Sequence, residues 1–349
     1  MAKISEVMDD LRALLEVDAP AFVWGKPGIG KSEIVFQIAS ELRRIEVAKL
    51  GNLSALELLE IAKIPLVIDI RLSTFDPVDL RGLPAIINGL TQWMRPQIWP
   101  VENRWNLTVI LFFDEMDRAA PAVANAALQI VLDRRIGEHV LPASVRIVAA
   151  GNGASDKRTT QAIGEAQANR FTHLYADADA ETASAHWNSI GVDPALVAFI
   201  RFRPQLIETT REQGKHAFAS PRAWAKCAKF MHLPDARRHR LIAGTVGEAP
   251  AGECEAFIRM FRDLPSLDSI IRDPANAPVS DKINVQYAVS TGLARKATHA
   301  NFAAVCTYAA RMPREFEIML VTDAVRRDRT LCETAAYAAW AVKNQDVTL

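Results

Sequence analysis

The apolar positions of this chain change their spacing along its length, and the change divides it. Ile4, Val7, Met8, Leu11, Leu14 and Leu15 recur three and four residues apart, which predicts an amphipathic helix over residues 4–16. A short apolar run, Ala21 to Trp24, stops at a glycine-rich turn, and residues 32–47 return to helical spacing with neither Pro nor Gly. Strand, glycine-rich turn, helix is the local reading. Apolar, β-branched runs recur at 66–70, 109–113, 145–149 and 171–175. Near-continuous apolar strands separated by helical stretches predict an α/β fold with a parallel sheet covered on both faces. Residues 121–132 form an Ala-rich helix opened by Pro121, where a missing N–H costs nothing.

Beyond about residue 178 the strand signal fades and helical patterns separated by Pro continue to the C-terminus. Residues 218–230, 303–311 and 314–326 are helix candidates. The expected organisation is an α/β core over 1–177, a helical lid over 178–248 and a helical extension over 249–349. The Pro-flanked stretch 273–278 is a candidate for a further division of the last region.

Composition narrows the class. With 349 residues, 50% hydrophobic, the chain has enough material for a large core and two domains. Its 41 basic residues balance 41 acidic ones, so no general attraction to nucleic acid or an anionic membrane arises. Cys227, Cys254, Cys306 and Cys332 form no CxxC and complete no zinc pattern with His, which favours free thiols, and Cys306 and Cys332 look like core positions. The first 20 residues carry acidic side chains throughout and lack the apolar segment of a signal peptide. No apolar run reaches the ~20 residues needed to span a bilayer. The expected location is the cytoplasm.

Two motifs carry chemistry. Gly25-Lys26-Pro27-Gly28-Ile29-Gly30-Lys31-Ser32 fits GxxxxGK[ST], with the required strand before it and helix after it. Glycines let backbone N–H groups turn inward around a β-phosphate, Lys31 supplies a compact charge to β and γ phosphates, and Ser32 offers a hydroxyl to Mg²⁺. Residues 109–115 form an apolar strand ending in Asp114-Glu115. At the top of a buried sheet, beside a phosphate loop, Asp114 would hold Mg²⁺ and Glu115 would polarise an attacking water. ATP is the expected nucleotide, because no [NT]KxD guanine-reading motif occurs in the chain.

With both motifs in hand, the chain resembles the MoxR-like and dynein-related branch of AAA+ ATPases over residues 20 to about 230. The likeness rests on GKPGIGKS, Asp79-Leu80-Arg81-Gly82, LFFDEMDRA at 111–119, the stretch through residue 142, AAGN at 149–152, EAQANRF at 165–171 and SPRAW at 220–224. The resemblance implies a P-loop core with a helical lid. It implies sensor 1 at Asn152, although Asn152-Gly153 is also a good turn sequence. It implies a trans-acting arginine finger at Arg170, with Arg134 and Arg135 as competitors, and sensor 2 at Arg222. Arg135 to Leu141 reads as a tight hairpin whose His139 is a turn residue. Residues 88–106, carrying Trp93, Trp99 and Trp105, read as an insertion that either lines a pore or packs onto its own subunit. The implied activity is ATP hydrolysis by a homo-oligomeric ring, in a family that favours hexamers and whose members remodel or mature a protein client, often with a von Willebrand factor A domain partner. A nucleic-acid motor is the alternative, and the neutral charge balance and lack of a helix-turn-helix or zinc module count against it. A non-catalytic nucleotide switch is a third reading, against which the intact Glu115 counts.

Overall fold

In the computed structural model, which describes residues 2–153, 169–210, 214, 216–262, 264 and 266–345, the chain divides into two units, Met1–Asp177 and Ala178–Leu349. The first runs β1 (Ala2–Lys3), α1 (Ile4–Glu16), β2 (Ala21–Trp24), α2 (Lys31–Lys49), α3 (Ala55–Lys63), β3 (Val67–Arg71), α4 (Pro77–Arg81), β4 (Leu83–Ile87) and β5 (Leu90–Met94). It continues through β6 (Val109–Asp114), α5 (Pro121–Asp133), β7 (Arg135–Ile136), β8 (His139–Val140), β9 (Val145–Gly151) and β10 (Thr172–Asp177).

Six of these strands form one sheet in the order β1-β10-β2-β9-β6-β3, and every pairing in it is parallel. The burial of the strands explains the arrangement. Val109 to Phe113 are all buried, as are Ala21 to Val23, so both faces of the sheet must be covered. On one side α2 packs against β3, β6 and β9, burying Ile34, Val35, Ile38 and Ala39. On the other, Val123, Ala127 and Ile130 of α5 share a cluster with Phe22, Leu111, Phe113 and Ile147. Register aligns the strand ends: Trp24 pairs with Gly151, Phe113 with Ala149 and Arg71 with Asp114. The segments that follow β2, β9 and β6 therefore leave the sheet at the same end, where parallel sheets carry their ligand sites.

The insertion differs from the sequence expectation. The ribbon is β4–β5, spanning Leu83–Met94, and not residues 88–106. Asn88 and Gly89 both have positive φ (53° and 78°), the signature of a two-residue primed turn, so half of the ribbon precedes residue 88. The three tryptophans differ in their surroundings. Trp99 is 4% exposed and donates from Nε1 to the Leu80 carbonyl at 2.7 Å, so it packs onto its own unit. Trp105 lies under the Arg104 guanidinium at 4.4 Å. Trp93 keeps a partly exposed ring, and its carbonyl lies 3.0 Å from His139 Nε2 on the β7–β8 hairpin.

The second unit contains α6 (Ala180–Ser189), α7 (Pro194–Phe202), α8 (Pro221–Cys227), α9 (Asp235–Val246), α10 (Glu248–Arg262), α11 (Leu267–Arg272), α12 (Ile283–Lys296), α13 (Phe302–Ala309), α14 (Arg314–Arg327) and α15 (Ala335–Lys343). Short side chains start several of these helices. Asp179, Ser220 and Thr334 each accept a backbone N–H in the first turn. Phe199, Trp224, Ile242, Phe257 and Ile258 form one cluster, whose core runs through α10 past residue 248. A second cluster joins Ile270 and Ala277 to Leu293, Phe302 and Leu320, so the stretch 273–278 does not divide it. Cys227 and Cys254 are buried, but Cys332 is exposed and Cys306 half-buried, which corrects the expectation of two C-terminal core thiols. Cys332 falls in a tight helical turn, Arg329–Glu333, that buries only Leu331.

One ion-pair network holds helices α6, α7 and α14 together. The Arg201 side chain, 1% exposed, donates to Asp323 and, at 2.8 and 3.1 Å, to Glu181. Removing one partner of such a pair strands the other as an uncompensated buried charge. Asp323→Ala should lower the unfolding free energy by about 3 kcal/mol in urea denaturation; a midpoint unchanged from wild type would contradict this.

Candidate functional site

The loop after β2 is shaped by glycine. Gly28 and Gly30 have φ of 82° and 110°, a region that side chains rarely adopt. A Cβ on Gly25 would lie 2.4 Å from Ile29 Cδ1 and 2.7 Å from the Ala176 carbonyl oxygen, so the loop closes there against β10 with no room for a side chain. The Gly25 N–H bonds the Gly151 carbonyl at 3.2 Å, which ties the start of the loop to the end of β9. Lys31 opens α2, so the positive end of the helix dipole faces the loop.

Lys31 is 8% exposed. Its ammonium donates to the Gly25 carbonyl at 2.6 Å, the Lys26 carbonyl at 3.0 Å and Asn152 Oδ1 at 2.9 Å. The last contact joins the phosphate-loop lysine to the residue that follows β9. The Asn152 N–H in turn donates to Asp117 Oδ2 at 2.8 Å. Asp117 lies two residues beyond Glu115, in the turn Met116–Arg118 that follows β6. A chain of two hydrogen bonds thus runs from the glycine-rich loop to the segment after the acidic strand end.

The acidic end itself is tightly built. Asp114 ends β6, and its Oδ1 accepts the Glu115 N–H at 2.9 Å. Glu115 has φ of 53°, a strained conformation for a non-glycine residue. Its carboxylate accepts from Ser73 Oγ at 2.5 Å and lies 4.0 Å from Arg71 Nε. Burial, and after it the Asp114 charge, pushes the Asp69 carboxyl on β3 upward from its ordinary range. Ser73, Arg71, Asp69 and Asp117 were not singled out from sequence. Asp117 stands inside the quoted LFFDEMDRA, but the first three reach this end only because β3 pairs with β6.

The arginines separate. Arg134 caps α5 with φ of 49° and spends its guanidinium on the Pro142 and Val145 carbonyls, at 3.2 and 2.7 Å, and on Asp18 at 3.1 Å. Those contacts staple the end of α5 to the connection between β8 and β9. Arg135 is exposed and donates to the Gly137 carbonyl at 3.1 Å. Arg170 sits in the turn before β10, partly exposed, with Nη1 3.3 Å from the Leu128 carbonyl. The preceding part of its motif, residues 165–168, lies outside the described residues. Arg222 is exposed in the first turn of α8, in the helical unit. Among the described residues no cluster of three or more His, Cys, Asp or Glu forms a metal site, and no helix is long and apolar enough to cross a membrane.

A parallel sheet in this order, a glycine-rich phosphate loop after a central strand, an Asp-Glu strand end two places away and a helical unit following define a P-loop α/β fold of the AAA+ type. No protein-family model matches the chain, and no curated protein matches it significantly. Among solved structures, it is similar to a mutant RuvB of Thermotoga maritima at 15% identity and a TM-score of 0.37, over 83% of this chain and 80% of that one. It is also similar to NtrX of Brucella abortus in complex with ATP, at 11% identity and a TM-score of 0.39, over 93% and 69% of the two chains. The class rests on the strand order and loop of this chain.

Gly25→Ala puts a methyl group against a backbone oxygen that cannot move without displacing β10. It should weaken ATP binding by about tenfold or more, measured by calorimetric titration, with unchanged circular dichroism. Wild-type affinity would show that the closed loop is not the nucleotide cradle.

Proposed function

We propose that this protein binds ATP with Mg²⁺ and hydrolyses it as a subunit of a MoxR-like AAA+ ring, most simply a homo-hexamer, and uses the cycle to remodel a protein client. The observation that supports this reading best is the link from Lys31 through Asn152 to Asp117, which draws the phosphate loop and the acidic strand end to one end of the sheet. In this reading the backbone N–H groups from Gly28 to Gly30 and the Lys31 ammonium take the β and γ phosphates. An arriving triphosphate competes with Asn152 and two loop carbonyls for that ammonium.

Ser32 and Asp114 offer oxygen donors, one hydroxyl and one carboxylate, a set suited to a hard cation such as Mg²⁺. The metal, when bound, supplies charge neutralisation on the phosphates. Glu115 takes the role of polarising the attacking water, for which its carboxylate must exchange Ser73 for that water. Asn152 positions the water or the γ-phosphate. Arg170 reaches the neighbour's γ-phosphate as the finger, so full activity requires assembly. Arg222 contacts phosphate from the helical lid, which converts hydrolysis into a change of angle between core and lid. The client, by analogy with the family, is a protein complex, with a von Willebrand factor A domain protein as the partner to test first. The cytoplasm is the proposed setting.

Glu115→Gln is expected to bind ATP within about threefold of wild type and to turn it over about a hundredfold more slowly, the range for losing a general base. Calorimetric titration measures the binding, and phosphate release in Mg²⁺ buffer, with a chelator control that stops wild-type turnover, measures the rate. Turnover at the wild-type rate by Glu115→Gln would overturn the assignment.

A further inference from the structure

A buried carboxylate is costly unless something compensates for it, and the candidate site contains one that none of its assigned roles uses. Asp117 is 2% exposed. Its Oδ2 accepts the Asn152 N–H at 2.8 Å, and its Oδ1 is buried with no hydrogen-bond partner among the described residues. The packing around it is close: a Cβ on Gly151 would meet Asp117 Cγ at 3.0 Å, and Phe22 and Trp24 ring carbons at the same distance. Asp117 therefore fills the gap between the end of β9 and the turn after β6, and a bulkier residue 151 would push it away.

The turn matters because of what stands at its start. Glu115 immediately precedes Met116–Arg118 and holds a left-handed conformation. Only Met116 thus separates the strained carboxylate proposed to polarise water from the side chain that holds the Asn152 N–H at the end of β9. Asn152 in turn is the side-chain partner of Lys31. We propose that Asp117 is a positioning residue that fixes the spacing between Glu115 and Asn152, so that the water-polarising carboxylate and the polar group beside Lys31 address the same γ-phosphate. This inference rests on the ATPase reading above and assigns it a further residue. Asp117 touches neither nucleotide nor water in this scheme and acts only through Asn152 and the turn.

A purely structural Asp117 would lose stability on substitution, and turnover and binding would fall together with the folded fraction. A positioning residue behaves differently, because a small misplacement of catalytic groups costs rate in a protein that still folds and binds. Asp117→Ala should therefore bind ATP within about threefold of wild type and lower kcat about tenfold or more, with KM little changed. Asp117→Asn keeps an oxygen acceptor for the Asn152 N–H and should recover kcat to within about threefold of wild type. Asp117→Ser, too short to reach that N–H, replaces the alanine variant if the latter does not fold. In an Asn152→Ala background, Asp117→Ala should add little further loss, since both lesions act along one path.

Wild-type kcat in folded Asp117→Ala would overturn the proposal. So would a loss that multiplies with Asn152→Ala, or an Asp117→Asn variant as slow as the alanine variant. Hydrogen exchange keeps this distinct from failure of the ATPase reading, which would appear as a wild-type protein with no turnover. In that case faster exchange at the Asn152 amide in Asp117→Ala, restored in Asp117→Asn, still supports the fixed spacing, and unchanged exchange overturns it.

Discussion

A buried ammonium must find oxygen, and at Lys31 oxygens come from the segments that follow two strands, β2 and β9. Two are carbonyls of its own loop and one is Asn152 Oδ1, at the end of β9. That third contact is possible only because β9 lies between β2 and β6 in a parallel sheet with its register fixed by buried side chains on both faces. A register shift of one residue would turn Phe22, Phe112 and Phe113 to the wrong faces and carry Asn152 away from the loop. The chemistry proposed for the site thus depends on sheet packing, through the lysine that reads out the alignment.

The features legible in the sequence were those set by short-range physics. The phosphate loop needs glycine at positions with positive φ, and the strands need unbroken apolar runs, so residues 21–24 and 109–113 announced themselves. The helix beginning at Pro121 was equally plain. The insertion is expected over 88–106, whereas the ribbon pairs Leu83–Ile87 with Leu90–Met94 about Asn88-Gly89, a pairing that hydrophobic pattern alone does not show. Ser73 and Arg71 were invisible because only the pairing of β3 with β6 brings them to Glu115. Asp117 stands within LFFDEMDRA, but its partner is a backbone N–H 35 residues away, which motif spacing does not show.

In the helical unit the sequence showed helices without showing how they assemble. Periodicity marks an apolar face but not which helix covers it. Here Arg201, on an otherwise apolar helix, specifies part of the answer by pairing with Glu181 and Asp323 on two other helices. Arg238 ties its own helix to the next by pairing with the buried Glu255, beside Asp235 in its own first turn. Such buried pairs do not announce themselves in composition, which counts 41 charges of each sign and is silent on which are internal. The same internal use of charge appears at Arg134, whose guanidinium is held by two backbone carbonyls.

The central claim is that one triphosphate and one metal occupy the ground between the glycine-rich loop and the acidic strand end. The most direct measurement is a structure of the protein with Mg²⁺ and a non-hydrolysable ATP analogue. The account predicts phosphates along residues 25–32, the Lys31 ammonium drawn from Asn152 toward them, and a metal between Ser32 and Asp114. Nucleotide bound elsewhere, or a Lys31 that keeps its contact with Asn152 while the nucleotide sits in place, would contradict it.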